Sequence, residues 1–337
     1  RLVESEGVER LGDQRLTRYR FRHSLIQVYL YEQLDEVQRV YLHEDVARAL
    51  ERLYREETER IPLQLAHHYQ IAGVTDKAVH YLLQAGKQAI HLSIFDEAGH
   101  HLSQALPLLS DLPAGEARDR QELTIQTYLG QAWTASKGAA VPEVGTAYSR
   151  ALALARQLGE HRKTVELLFA LTQYAHMRSD LTVARAYGEE ALRLIERDQD
   201  PELRMQVNNI LHNIASWEGR HRDALACNEQ VIVFYRTHRP NLSPDDAINL
   251  AYALLKQGMS LAPCGYLDQA ISVAQEGLAL MPSHNHLGRT VCTIYSAMIH
   301  SLRREWRAVI DLTTEAIEAC HKFDFAQART LGETYQG

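Results

Sequence analysis

Seventeen histidines raise metal chemistry first, and three close sets stand out: His67 with His68, His100 with His101, and His284 with His286. Adjacent helical residues point about 100° apart, so such pairs do not converge on one ion. They are expected to be solvated or core histidines. The run Leu42 to Ala47 (LHEDVA) begins like the zinc-protease pattern HExxH, but Ala47 stands where the second histidine must lie one turn on. The carboxylate pairs Glu189 with Glu190 and Asp245 with Asp246 fall at helix starts or outer faces, where they cap or solvate. Cys227, Cys264, Cys292 and Cys320 form no CxxC pair and are expected as free buried thiols of a reducing compartment, the cytoplasm. No GxxxxGK[ST], no GxGxxG after a strand and no GxSxG is present. No catalytic, cofactor-binding or metal-ligating residue is therefore expected in this chain.

The elements that position these residues look helical. Only 9 Pro and 18 Gly in 337 residues, with abundant Ala, Leu, Glu and Arg, point to an all-α protein. A net charge of −7 argues against nucleic acid or an anionic membrane as partner. No apolar run reaches the length of a membrane span.

One stretch shows the local plan. Met205 to Tyr235 (MQVNNILHNIASWEGRHRDALACNEQVIVFY) predicts two amphipathic helices about a short basic turn, with Ala215, Gly219, Ala224 and Val231 small where the helices approach. Leu65, Ala66, Tyr69, Gly73, Ala78, Leu82 and Ala85 occupy offsets 7, 8, 11, 15, 20, 24 and 27 of a tetratricopeptide repeat. Ala175, Ser179, Ala184, Gly188 and Ala191, and Leu261, Gly265, Ala270, Ala274 and Gly277, take the last five of those offsets again. The residue at offset 27 recurs as Ala85, Ala105, Ala151, Ala191, Val231, Gly277 and Ala316, at intervals of 20, 46, 40, 40, 46 and 39. The first interval predicts a lone helix. The others exceed the repeat's usual length of about 34. A right-handed tetratricopeptide-like solenoid over 61–337 follows, of about six to seven repeats and truncated at its end. Segments 110–120 and 236–246 are expected as loops.

First helices of such hairpins line a concave side. Offsets 2, 5, 9 and 12 place Phe169, Gln173 and His176 there, then Gln206, Asn209, Asn213 and Ser216, then Tyr252, Leu255 and Met259, then Ile294 and Met298. An amide patch flanked by aromatic and Met side chains suits an extended peptide, whose backbone the amides can bond. The alternative is an inner face that only meets solvent or a neighbouring domain.

Residues 1–60 differ. A strand to Glu6, a turn through Gly7 and Gly12, and a half-buried strand with Tyr19 and Phe21 on one face and Arg18, Arg20 and Arg22 on the other predict a β-hairpin. Ser24 is expected to cap one helix and Asp35 a longer one. Hairpin and helices together suggest a winged-helix remnant. With 11 Arg against 13 Asp and Glu in residues 1–60, its arginines suit packing against another domain better than DNA.

Phe21 to Leu34 (FRHSLIQVYLYEQL), Val40 to Glu51 (VYLHEDVARALE) and Leu65 to Ala89 (LAHHYQIAGVTDKAVHYLLQAGKQA) resemble the winged-helix and tetratricopeptide region after the nucleotide-binding module of bacterial STAND-class, AAA-type signalling ATPases. Gln121 to Glu160 (QELTIQTYLGQAWTASKGAAVPEVGTAYSRALALARQLGE) is most similar to the branch fused to class III adenylate or guanylate cyclases. The resemblance covers nearly the whole chain. It implies a non-catalytic sensor that biases an ATPase switch held on the same polypeptide, with ATP and Mg confined to that upstream module. A protein or peptide activator in the groove and the upstream ATPase module are the implied partners. The effector-sensing tail of a STAND-type transcriptional regulator, a free-standing tetratricopeptide scaffold and a histidine-built metal hydrolase remain alternatives.

Overall fold

The computed structural model describes residues 2–11, 14–195, 200–239, 241–323 and 332–334. The chain divides into two compact units, Arg1–Glu160 and His161–Gly337.

The first unit opens with β1 (Val3–Leu11) and β2 (Gln14–Phe21), paired antiparallel. Gly7 lies inside β1 and not in a turn: the register shifts between Ser5 and Gly7, a bulge whose glycine takes φ +149°. The expected turn at Gly12 lies outside the described residues. Nor is the second strand half-buried throughout, since Tyr19 is 67% exposed. Helices α1 (Ser24–Glu32) and α2 (Glu36–Tyr54) follow. His23, and not Ser24, is the residue before α1, and it makes no side-chain cap; Asp35 caps α2 as expected, in a reciprocal pair with Gln38. After a 3-10 turn (Arg55–Arg60) come α3 (Pro62–Ile71), α4 (Thr75–His91), α5 (Phe95–Ser110), α6 (Glu116–Lys137) and α7 (Pro142–Gln157). Packing is continuous across residue 60, because Ala47 of α2 shares one core with Leu65, Tyr69, Leu82, Leu102 and Ile125.

A polar knot reinforces that junction. Glu51 of α2 accepts from Lys77 Nζ at 2.6 and 2.8 Å and from Tyr81 Oη at 2.7 Å. Burial works to raise the Glu51 carboxyl, yet the hydrogen bonds from Lys77, Tyr81 and Tyr69 outweigh it and leave it lowered.

The second unit holds α8 (His161–Met177), α9 (Leu181–Ile195), α10 (Pro201–Trp217), α11 (His221–His238), α12 (Pro244–Leu261), α13 (Leu267–Leu280), α14 (His286–Leu302) and α15 (Trp306–Phe323). They form four successive hairpins. The turns share one geometry: Ser179, Gly219, Gly265 and Arg304 take φ of 60°, 75°, 89° and 60°. The next residue's N–H then returns to a carbonyl five back, as in Arg220 to Ala215 at 2.8 Å and Asp180 to Ala175 at 2.9 Å. This left-handed stop closes the orphan carbonyls of the first helix and reverses the chain.

Small residues set the approach of the helices. A Cβ added at Gly258 would lie 3.0 Å from the Ala270 carbonyl oxygen, and one at Gly277 would lie 2.9 Å from that of Ala251. The α12 and α13 backbones therefore touch at both ends, which needs glycine there. All the residues expected at offset 27, from Ala85 to Ala316, are buried. The expected loops are shorter than predicted, with helix up to Ser110 and from Glu116, and up to His238 and from Pro244. Ser243 accounts for the second, since its hydroxyl accepts the Asp246 N–H at 3.1 Å and starts α12 early.

Candidate functional site

Four helices of the second unit, α8, α10, α12 and α14, carry the residues expected to face a groove. Helix α10 is the centre. Gln206, Asn209 and Asn213 follow at intervals of three and four, so they share one face. Phe169, Gln206 and Asn209 come together at a cavity of about 320 Å3 that is also lined by Glu166, Glu202, Arg239, Asp246 and Asn249. Asn213, one turn further along α10, is 5% exposed. Gln206 Oε1 and Asn213 Nδ2 are buried without a hydrogen-bond partner within the protein. Buried amides in that state are incomplete until a ligand or water reaches them.

Lys256 of α12 organises this patch. Its Nζ donates to Asn209 Oδ1 at 2.6 Å. Lysine has donors only, so the Asn209 oxygen must face it and the Asn209 amide nitrogen is left for acceptors in the cavity. Burial pushes the Lys256 ammonium down to about 8. Behind it, His212 is buried with its Nδ1 3.0 Å from the Ala224 carbonyl oxygen; burial, only partly offset by that bond, lowers it to about 4.

The cavity's acidic residues are already engaged. Glu202 accepts from Arg162 at 2.8 Å and lies 3.9 Å from Arg239, which is 3.8 Å from Asp246. Glu166 is paired with Lys163.

Two expected groove residues are not there. Leu255 is 3% exposed and packs with Ala251, Met281 and Cys292, and Ile294 is 0% exposed and packs with Ala316 and Cys320. One residue on from each, about 100° around the helix, Lys256 and Tyr295 stand partly exposed. The offsets miss this because they assume a fixed helix rotation in every hairpin. Lys256 was nonetheless visible in the sequence as the sole charge between Asp246 and Asp268.

The other expected residues, Gln173, His176, Ser216, Tyr252, Met259 and Met298, are half-buried. His176 is stacked flat on Trp217, ring centres 3.7 Å apart, so that face of its ring joins α8 to α10. Tyr252 packs at the edge of the Leu255 cluster, and Met259 against Leu261 and Ile299.

Elsewhere, a larger depression of about 520 Å3 in the first unit is lined by Glu59, Gln84, Lys87, Gln88, His91 and Leu92. All but Gln84 are exposed, which makes it ordinary surface. His67 and His68 of α3 do meet a third histidine. His43 Nδ1 lies 2.9 Å from His68 Nδ1 and His43 Nε2 lies 3.0 Å from Tyr31 Oη, so both nitrogens of His43 are occupied. No set of three His, Cys, Asp or Glu among the described residues has the geometry to hold a metal. On the hairpin, Arg20 pairs with Glu4 at 3.0 Å and Arg22 with the same Glu4 at 3.4 Å.

No family model matches the chain. Over 327 residues it is 24% identical to an uncharacterized protein of Rhizobium meliloti (strain 1021); this covers 96% of the chain, which spans 30% of that protein's length. Among solved structures it is similar to a Rap protein complexed with Competence and Sporulation Factor, at TM-score 0.60 and 13% identity over 88% of this chain and 79% of that one. It is also similar to the Signal Transduction ATPase with Numerous Domains (STAND) protein with a tetratricopeptide repeat sensor from Pyrococcus horikoshii, at TM-score 0.53 and 13% identity over 98% and 46%. The apo form of the quorum sensor NprR from B. thuringiensis matches at TM-score 0.52 and 10% identity over 93% and 92%. The fold is that of tetratricopeptide-like helical-repeat proteins, carrying a small N-terminal strand pair.

Proposed function

We propose that this chain is the sensory and regulatory part of a larger signalling protein, and that the cavity centred on α10 takes an extended peptide segment of an activator or partner. The observation that carries this reading is the amide row itself: Gln206 at the cavity and Asn213 one turn further along α10 keep buried hydrogen-bonding atoms unpaired, and Asn209 can donate into the cavity. Peptide backbone supplies both donors and acceptors at the spacing such amides need. A neighbour complexed with Competence and Sporulation Factor and another that is a quorum sensor support signal sensing as a use of this fold.

The parent protein in this reading is a STAND-class ATPase, cyclase-linked, and acts in the cytoplasm. The likeness to the Pyrococcus sensor, the greater length of the Rhizobium relative and the motif of Gln121 to Glu160 support it. Residues 1–60 then serve as a winged-helix remnant that packs on the ATPase module, and the apolar face of α1 and early α2, with Leu25 79% and Tyr41 64% exposed, suits that contact. Catalysis, ATP and Mg belong to that module and not to this chain. A bound peptide acts by preferring one state of the switch, since equal affinity for both shifts nothing. An ATPase module encoded in the same reading frame supports this parent; a DNA-binding domain there would make the chain a transcriptional regulator's tail, and neither would leave a free-standing scaffold.

The test is affinity selection of a random peptide library on the purified chain. Selected peptides should bind the Asn209→Ala/Asn213→Ala variant at least about tenfold more weakly, with helical circular dichroism and melting temperature nearly unchanged. Equal binding would refute the site.

A further inference from the structure

We infer that Lys256 is the anchor for a carboxylate of the peptide that occupies this groove, an inference that rests on the peptide-binding reading above. Lys256 donates to Asn209 Oδ1 at 2.6 Å and meets no carboxylate among the described residues within ion-pair distance. One of its three donors is used, and two remain. The charges nearest the cavity cannot serve it, because Glu166 is held by Lys163 and Glu202 and Asp246 face Arg162 and Arg239.

A buried ammonium without a counter-charge destabilises the fold, and an apolar residue of the same length would pack there without that cost. Burial lowers its proton affinity only to about 8, so it is still largely charged at neutral pH. The site therefore holds a cation that is largely withdrawn from water and meets no anion among the described residues. Its partner Asn209, with the unpaired amide atoms of Gln206 and Asn213 on the same face of α10, supplies the groups that hold the backbone next to such a carboxylate.

The charge balance selects the anion. A single ammonium matches a carboxylate of charge −1. A phosphate dianion would call for a second cation, and the one that lines the cavity, Arg239, already stands between Glu202 and Asp246.

Two pools of N-acetylated random hexapeptides, one with free C-terminal carboxylates and one amidated, distinguish the outcomes when selected on the 337-residue chain and on its Lys256→Met and Lys256→Gln variants. For a C-terminal carboxylate, the wild-type chain prefers the free-acid form of a selected peptide by about tenfold or more. Both variants lose that preference and bind the free acid no better than the amide. For a side-chain carboxylate, the amidated binders are rich in Asp or Glu, and both variants lose them. Peptides that bind wild type and both variants alike, yet fail on Asn209→Ala, would overturn the anchor and leave the groove standing. Retention of neither pool would overturn both. Circular dichroism confirms that each variant is folded before binding is compared.

Discussion

His212 shows how one side chain ties stability to pH. Its neutral ring is buried, with Nδ1–H donating to the Ala224 carbonyl, and its pKa falls from 6.5 to about 4. An unfolded chain takes up that proton near pH 6.5 while the folded chain resists it. Stability is thus complete above 6.5 and is lost as the pH falls through about 4, by about 3 kcal/mol. His43, His68, His101 and His176 are lowered in the same direction, burial being the first cause of each. Urea unfolding between pH 7.5 and 4.5 should show a falling free energy, and His212→Gln should flatten the curve. Lys256 behaves likewise at higher pH: its folded pKa of about 8 lies below 10.5, so its contribution is present only above 10.5 and is lost as the pH falls through 8. At neutral pH its full cost stands. Lys256→Met should raise stability at pH 7 on the order of 1–3 kcal/mol, less what Asn209 loses with its partner. A lower denaturation midpoint for that variant would count against the unpaired-cation description.

Among the elements, the hairpin is governed by its turn and by its closest contact. Ser179 holds φ 60°, where Gly219 and Gly265 stand in the neighbouring turns. A side chain in that region costs about 1 kcal/mol, so Ser179→Gly should raise the melting temperature slightly. The opposite holds at Gly277, where the new methyl group of Gly277→Ala would sit 2.9 Å from the Ala251 carbonyl oxygen. Backbone cannot swing aside as a side chain can. Helix propensity favours alanine by about 1 kcal/mol, yet overpacking of about 1–3 kcal/mol should outweigh it, and thermal unfolding gives the sign.

For the whole molecule, the exposed apolar face at the N-terminal end is the feature with a consequence for handling and assembly. Helix α1 buries none of its residues, and Leu25 and Tyr41 are largely exposed. Leu25→Ser with Tyr41→Ser should leave the melting temperature within about 1 °C, because surface changes of this kind shift stability little. The same pair should reduce self-association in sedimentation velocity.

Much of the fold could be read from residue types at local spacing. Gly73, Ser179, Gly219 and Gly265 mark the turns, Ala85 through Ala316 mark the closest packing, and Asp35 marks a helix start; each acts through contacts within one hairpin, so sequence distance decides them. The candidate site depends on more than local spacing. Phe169, Gln206 and Asn209 were assigned to a common surface and do line one cavity, but Leu255 and Ile294 were assigned there and lie in the core. Their fate depends on the rotation of each first helix about its own axis, which is set by the neighbouring hairpin and not by any local signal. The same holds for Lys256, whose sequence shows a charge in an apolar helix, while only the packed structure brings it to Asn209, out of ion-pair reach of the carboxylates among the described residues.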